Sequence, residues 1–206
     1  PKKSIRGGCP VLFPTPGKLA GDRWAHEGRH GCLPQHGFAR NRPWRVCGTL
    51  DEGAVAAVAL RLEVGGGDPD WPWRCKLELT YSLRERVVRI DQRVTNLDGQ
   101  PMPFGLGFHP YFFVPEADKA GATIETRATR AWDNVTKQIV ALSATHTIDL
   151  TQPEVDLHLL DHEATSSALG WGDQRVRLSG SREYTRWVVW TRAGQDFVCL
   201  EPWTSP

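Results

Sequence analysis

Two segments carry single ionisable side chains in surroundings that could support proton transfer. His109 lies among aromatic and glycine residues in the segment 105–112 (GLGFHPYF). Glu201 follows an apolar run and precedes Pro and Trp in the segment 199–203 (CLEPW). A histidine whose pKa is near the working pH can act as a general acid, and a carboxylate can act as a general base. A structural core histidine and a charge at a strand edge are the alternatives.

A loop rich in Gly and Pro offers a second pair of polar groups. The segment 33–40 (LPQHGFAR) places His36 and Arg40 four positions apart, between Pro34 and Pro43. Gly and Pro shape the loop, and an arginine presents a rigid fork of donors, so this arrangement suits ligand binding. A structural loop with an exposed histidine is the alternative for the same residues.

Residues 26–30 (HEGRH) match the pattern H-E-x-x-H, but their neighbours argue against the helix that this pattern needs. In zinc proteases a helix brings both histidines to one face, beside the glutamate. Here Gly28 and Gly31 interrupt the segment, and glycine inside a helix is less favourable than alanine by about 1 kcal/mol. We therefore predict a solvated or partly ordered loop over residues 26–30 and no metal site.

Composition excludes several classes of partner. The 206 residues include 25 Lys and Arg and 24 Asp and Glu, a net charge of +1. This balance gives no electrostatic reason to expect nucleic acid or an anionic membrane as partner. No apolar run reaches the roughly 18 residues of a membrane span. Five cysteines without a close pair favour free thiols in a reducing compartment, so we expect a cytoplasmic protein.

Period-two alternation of apolar and polar residues predicts an all-β fold. The alternation runs over residues 75–83 and again over 88–94. Residues 187–200 are typical of two strands joined by a turn at 193–196. The 20 Gly and 15 Pro residues favour many turns, which also suits a sandwich or barrel. We predict a single domain over residues 1–206.

Taken together and in chain order, these segments resemble the aldose 1-epimerase (galactose mutarotase-like) family. The likeness begins at residues 5–14 (IRGGCPVLFP), continues through 35–40 and 107–112, and ends at 199–203. It is nearest to the branch that includes glucose-6-phosphate 1-epimerases. The resemblance implies a large antiparallel β-sandwich, the galactose mutarotase-like supersandwich. Family members have strands before the first motif and after the last, so the implied sandwich is incomplete at both ends.

The family resemblance also implies an activity and two catalytic residues. Members are isomerases that interconvert the α and β anomers of an aldose by opening and closing the sugar ring. By motif, Glu201 is the base that removes the proton of the anomeric hydroxyl, and His109 is the acid that protonates the ring oxygen. An unperturbed glutamate is ionised at pH 7, as a base must be. The reaction needs no metal and no cofactor.

Four more residues are implied to bind the substrate: Arg6, His36, Arg40 and Asp156. His36 would hold and polarise the sugar near its ring oxygen. Asp156 would bind sugar hydroxyls, but its match (VDLH, residues 155–158) is short, and Asp149 and Asp161 are nearby competitors. The partner is expected to be a small sugar or sugar phosphate, and the protein a monomer or weak dimer.

The exact substrate and two rival functions stay open at this point. Arg6 and Arg40, with Arg42 and Arg45 nearby, could bind a phosphate or the hydroxyls of a free hexose. A non-catalytic carbohydrate-binding module on the same fold is the main alternative. A glycoside hydrolase usually needs two carboxylates, and Glu201 has no equally convincing partner in the sequence.

Overall fold

Antiparallel strands make up most of the regular structure of this chain. The computed structural model describes residues 7–68, 70–142 and 148–206. Contacts divide the chain into two compact units. The first unit is Lys18–Phe104, and the second is Gly105–Pro206 with the described residues up to Gly17. The single domain over residues 1–206 stays a prediction.

The described residues form seventeen strands and three short 3₁₀ helices. In chain order the strands are β1 (Val11–Leu12), β2 (Arg23–His26), β3 (Arg29–Cys32), β4 (Arg45–Asp51), β5 (Val55–Val64), β6 (Cys75–Arg84), β7 (Val87–Asn96), β8 (Gly107–Phe108), β9 (Tyr111–Phe113), β10 (Thr123–Glu125), β11 (Arg130–Asp133), β12 (Gln138–Ala141), β13 (Glu154–Leu159), β14 (Ser166–Trp171), β15 (Gln174–Ser179), β16 (Arg186–Arg192) and β17 (Phe197–Trp203). The 3₁₀ helices are Ala20–Asp22, Ala39–Asn41 and Glu116–Gly121. Among the described residues, no helix is long and apolar enough to cross a membrane.

The first unit contains a hairpin and a four-stranded antiparallel sheet. Strands β2 and β3 pair with each other, and β4, β5, β6 and β7 pair in sequence order. A two-residue turn joins β6 to β7, and its first residue, Glu85, has a φ of 53°, in the left-handed region that tight hairpin turns need. The register places Leu77 opposite Val94. The two strands predicted from alternation over residues 75–94 are therefore confirmed.

The second unit is a sandwich of two antiparallel sheets. The larger sheet has the strand order β1-β8-β17-β16-β13-β11-β12, with β9 also paired to β17, and the smaller has the order β10-β14-β15. Ile124 and Leu169 of the smaller sheet share one buried core with Val189 and Leu200 of the larger sheet. Burying each such aliphatic side chain contributes roughly 1.5–3 kcal/mol, so this core holds the two sheets together.

The pairing of β16 with β17 positions the last candidate motif. Trp190 lies opposite Cys199 in this antiparallel pair, which confirms the hairpin predicted over residues 187–200. Thr191 Oγ1 also donates a hydrogen bond of 2.6 Å to the backbone oxygen of Phe197, across the turn. The all-β, antiparallel fold class predicted from the sequence is confirmed.

Candidate active site

One face of the larger sheet carries the candidate catalytic base. Side chains alternate between the two faces of a strand. In β17, Val198 and Leu200 point into the core. Cys199, Glu201 and Trp203 therefore point to the opposite face, although all three are also buried. The base is thus held by a rigid central strand and not by a loop.

Strand β13 contributes two more polar side chains to the same face. The register places His158 opposite Val188, and Val188 opposite Glu201. Residues directly opposite each other in neighbouring strands share a face of the sheet. Asp156, two residues before His158, therefore lies on the face that carries Glu201.

His109 and Glu201, predicted as acid and base, lie side by side. The His109 Nε2 atom is 3.3 Å from Glu201 Oε1. Both residues are buried, with 7% and 1% of their surface exposed. His109 lies between β8 and β9, and its backbone N–H donates a hydrogen bond of 3.0 Å to the oxygen of Pro10. This arrangement suits the transfer of two protons between a ligand and two adjacent protein groups.

The surroundings of Glu201 change its acidity. Burial raises the pKa of this carboxyl well above its usual range, and the negative charge of Asp156 raises it further. Trp203 Nε1 donates a hydrogen bond of 3.2 Å to Glu201 Oε2, which lowers the pKa in part. The unperturbed pKa that we assumed for Glu201 from the sequence is therefore wrong. A raised pKa makes the ionised carboxylate a stronger base.

Aromatic rings hold the His109 imidazole on two sides. Tyr111 stacks on it with a centroid distance of 4.7 Å and an interplanar angle of 9°. Trp190 meets it edge-on at 5.6 Å and 83°. These contacts fix the plane of the imidazole, and the apolar rings keep water away from it.

Asp156 is held as an ionised acceptor. Asn134 Nδ2 donates a hydrogen bond of 2.7 Å to Asp156 Oδ2, and His158 Nε2 lies 3.5 Å from Asp156 Oδ1. Burial favours the neutral acid, but the contacts with His158 and Asn134 outweigh it, so the pKa of Asp156 is lowered. The His158 ring also meets the Trp203 ring edge-on at 5.1 Å. His158 therefore contacts both Asp156 and Trp203, and Trp203 is the residue that donates a hydrogen bond to Glu201.

The two competing aspartates are each hydrogen-bonded to a threonine instead. Asp149 accepts hydrogen bonds from the backbone and side chain of Thr151, at 2.9 and 2.6 Å. Asp161 accepts hydrogen bonds from the backbone and side chain of Thr129, at 2.9 and 2.6 Å. Both carboxylates therefore already have hydrogen-bond partners, Asp149 within its own turn and Asp161 on a residue 32 positions earlier in the chain, whereas Asp156 lies on the face of Glu201.

His36 and Arg40 belong to the first unit. His36 is buried and has a φ of 69°, an uncommon backbone conformation for a residue with a side chain. Arg40 lies in a 3₁₀ helix, and its Nη2 donates a hydrogen bond of 3.2 Å to the backbone oxygen of Gln35. Arg6, the third predicted binding residue, lies outside the described residues.

Two thiols beside Glu201 were missed as site residues by the sequence reasoning. Burial and the charge of Glu201 raise the pKa of Cys9 to about 12, and burial likewise raises the pKa of Cys199. Three atoms that could bind a metal lie within 4.8 Å of one another, one each from His109, Cys199 and Glu201. The available signal was the two-residue spacing between Cys199 and Glu201 on one strand, which predicts a shared face.

Residues 27–30 are exposed, which agrees with the predicted solvation, but residues 26–30 belong to a β-hairpin and not to a loop. The register pairs His26 with Arg29 and Ala25 with His30. Because opposite residues share a face and adjacent residues do not, the two histidines lie on opposite faces of the hairpin. The one-sided pair of ligands that a zinc protease needs is therefore not formed here.

Comparisons with known proteins connect this geometry to one family. The model of the aldose 1-epimerase family matches residues 2–205. A protein from Cenchrus ciliaris described as a "Putative glucose-6-phosphate 1-epimerase" is 28% identical over 232 residues. That alignment covers 98% of this chain but 64% of the relative, so the chain spans less than two thirds of its length.

Solved structures show the same fold. The Slr1438 protein from Synechocystis sp. PCC 6803 is 38% identical with a TM-score of 0.91, over 100% of this chain and 70% of that one. A galactose mutarotase-like protein from Clostridium acetobutylicum is 18% identical with a TM-score of 0.80, over 96% of this chain and 69% of that one. The predicted galactose mutarotase-like β-sandwich is thereby confirmed. Since the family model extends over nearly all of the sequence, this chain belongs to the aldose 1-epimerase family.

Proposed function

We propose that this protein is an aldose 1-epimerase that interconverts the α and β anomers of a hexose or a hexose 6-phosphate. Membership of the family supports this activity. The observation that carries the proposal is the 3.3 Å approach of His109 Nε2 to Glu201 Oε1 on a buried face of the sheet. An acid and a base at this separation can act on two oxygens of one small ligand.

In the proposed reaction the two residues move one proton each. Glu201 takes the proton of the anomeric hydroxyl, and the electrons of that O–H bond form the aldehyde C=O bond. The bond between C1 and the ring oxygen breaks, and His109 gives its proton to the ring oxygen. Rotation about C1–C2 presents the other face of the aldehyde, and the reverse transfers close the ring.

The side-by-side arrangement of the pair suits this chemistry. Both reacting oxygens are bonded to the same sugar carbon, so the groups that serve them must also be adjacent. The raised pKa of Glu201 strengthens it as a base, and the stacking of Tyr111 fixes the imidazole of His109. General acid–base catalysis by such positioned groups contributes typically about 10²–10⁴-fold each.

We assign the remaining predicted residues to substrate binding. Asp156 is an ionised acceptor on the same face as Glu201 and suits sugar hydroxyls. Arg6, His36 and Arg40 are assigned by their motifs alone. The likeness to a protein described as a glucose-6-phosphate 1-epimerase favours a phosphorylated hexose, for which arginine is the usual partner.

Anomer exchange measured on purified protein tests the proposal. Pure α-glucose, α-galactose and α-glucose 6-phosphate are followed by polarimetry or by saturation-transfer NMR, with the Glu201→Gln variant as control. We expect the wild type to accelerate exchange of at least one of these sugars. Binding without faster exchange would favour the non-catalytic carbohydrate-binding module. A protein that shows no binding and no exchange would contradict the assignment of a sugar as its ligand.

A further inference from the structure

The Cys199 thiol completes a triangle of metal-ligating atoms with the catalytic pair. A ring nitrogen of His109, the Sγ of Cys199 and an oxygen of Glu201 all lie within 4.8 Å of one another. Cys199 and Glu201 point to one face because they are two residues apart on β17. The exposed fractions of the three residues are 7%, 0% and 1%, so all three ligands are buried. The proposed reaction makes no use of the thiol.

The spacing of these atoms fits a tetrahedral cation. With Zn–S near 2.3 Å and Zn–N and Zn–O near 2.0–2.2 Å, tetrahedral geometry sets ligand atoms about 3.4–3.6 Å apart. The separation of His109 Nε2 and Glu201 Oε1 is already 3.3 Å. Small side-chain adjustments within the 4.8 Å triangle would complete the coordination.

We propose that a thiophilic divalent cation of the Zn²⁺ type binds to His109, Cys199 and Glu201, and that it inhibits the enzyme. A donor set of nitrogen, sulfur and oxygen suits Zn²⁺ and disfavours Mg²⁺ and Ca²⁺, which prefer oxygen ligands. The inhibitory part of this proposal rests on the proposed function, because the cation occupies the two groups that transfer protons to and from the sugar.

The chemistry of binding is balanced within the site. The thiol of Cys199 releases its proton as the sulfur–metal bond forms, and the carboxyl of Glu201 releases the proton that its raised pKa retains, since the thiolate and the carboxylate are the ligands. The cation also supplies a positive partner for the buried carboxylate of Glu201, where an unpaired buried charge is costly. Three protein ligands leave a fourth position for water. The site therefore differs from a closed structural zinc site and can exchange its metal.

Co²⁺ spectroscopy tests binding without reference to activity. Metal-free protein carrying Cys32→Ser and Cys47→Ser, which removes its two exposed thiols, is titrated with Co²⁺ and then with Zn²⁺. We expect one equivalent of Co²⁺ to give a thiolate-to-metal charge-transfer band and tetrahedral d–d bands, which Zn²⁺ then abolishes. Absence of the charge-transfer band at one equivalent would overturn the proposal.

Variants identify the ligands. Cys199→Ser should remove the charge-transfer band and weaken Co²⁺ binding by more than the roughly 10–100-fold that loss of a group supporting a metal ligand typically costs. Cys75→Ser is the matched control, a buried cysteine of β6 outside the triangle, and should leave the band unchanged. If Cys199→Ser does not fold, His109→Asn takes its place and should weaken binding to a similar extent. An unchanged band in a folded ligand variant would contradict the assignment.

Inhibition is measured separately from binding. We expect Zn²⁺ to stop anomer exchange by the protein with Cys32 and Cys47 replaced, and a chelator to restore it. Resistance of exchange to a saturating Zn²⁺ concentration would refute the inhibitory part. If the metal-free protein does not accelerate anomer exchange, the proposed function is refuted. The Co²⁺ spectrum would still show whether the metal site exists.

Discussion

The His109 imidazole and the Glu201 carboxylate face each other across 3.3 Å, on the side of the larger sheet that points away from the core. The two residues come from distant parts of the sequence, and the pairing of β9 with β17 brings the residues just before β9, among them His109, close to Glu201. Glu201 is therefore positioned by a strand of the sheet, and His109 by the short connection between β8 and β9. The same burial that keeps water out also alters the acidity of Glu201.

Removing either member of the pair should nearly abolish anomer exchange. Glu201→Gln removes the base with an isosteric amide, and His109→Asn replaces the acid with a smaller polar side chain that does not titrate. We expect kcat to fall about 10²–10⁴-fold in each variant, with an unchanged circular dichroism spectrum. The exposed residues Glu183 and His30 provide the controls Glu183→Gln and His30→Asn, which should exchange anomers normally. Wild-type exchange by a variant of the pair would disprove the assignment.

Trp203 should act as a positioning residue for Glu201. Trp203→Phe removes the hydrogen bond that favours the ionised carboxylate, so the pKa of Glu201 should rise further. We therefore expect the acidic limb of the kcat–pH profile to move to higher pH.

Trp190 supplies the matched control for the Trp203 experiment. Its Nε1 donates a hydrogen bond of 3.0 Å to Glu154 and not to Glu201. Trp190→Phe keeps an aromatic ring in place and should leave the acidic limb where it is in the wild type. Equal pH profiles for both variants would show that the Trp203 hydrogen bond has no role in the acidity of Glu201.

Replacing Asp156 should move the same limb in the opposite direction. The negative charge of Asp156 raises the pKa of Glu201, so Asp156→Asn should lower that pKa and extend activity to more acidic pH. The loss of an acceptor for sugar hydroxyls should also raise KM. Asp149→Asn, in a turn held by Thr151, is the control and should change neither quantity. Kinetics over a range of pH values measure both effects.

The buried carboxyl of Glu201 should make stability depend on pH. Its pKa is higher in the folded state than the ordinary 4.5, so the native protein binds more protons between the two values. The free energy of unfolding of the wild type should therefore fall as pH rises through this window. Above this window, each unit of difference between the folded and unfolded pKa of Glu201 lowers the free energy of unfolding by about 1.4 kcal/mol.

Glu201→Gln separates this effect from other titrating groups, because Gln does not ionise. Its stability advantage over the wild type should be absent below pH 4.5, grow as pH rises, and become constant above the folded pKa. Urea unfolding of both proteins at several pH values measures the difference. A difference that does not change with pH would show that Glu201 has an ordinary pKa.

Arg40 should distinguish phosphorylated from free sugars. If its guanidinium binds the phosphate, Arg40→Met should raise KM for glucose 6-phosphate at least about 10-fold, the effect of losing a hydrogen bond to a charged group. KM for glucose should change much less. Arg182→Met is the control, because Arg182 is exposed and pairs with its neighbour Glu183. Equal changes for both sugars would argue against a phosphate contact.

Local patterns predicted much of the fold but not the whole site. Alternation was sufficient to find β6 and β7, and two apolar runs on either side of a turn were sufficient to find the β16–β17 hairpin. Both pairs are predictable because a short turn joins strands that are neighbours in the chain. The hairpin at residues 26–30 was missed, since its short strands have no apolar alternation. The choice of Asp156 over its two neighbours rested on a short motif, whereas the structure places it on the face of Glu201.

The sequence by itself determined the all-β class, the family resemblance and the types of residue available for acid–base chemistry. Those properties follow from local alternation and from short motifs. Only the tertiary structure decided that His109, Cys199 and Glu201 meet, and that Glu201 has a raised pKa. The reason is physical: proximity depends on which strands pair and in which register, and acidity depends on the burial that the packed sheets create.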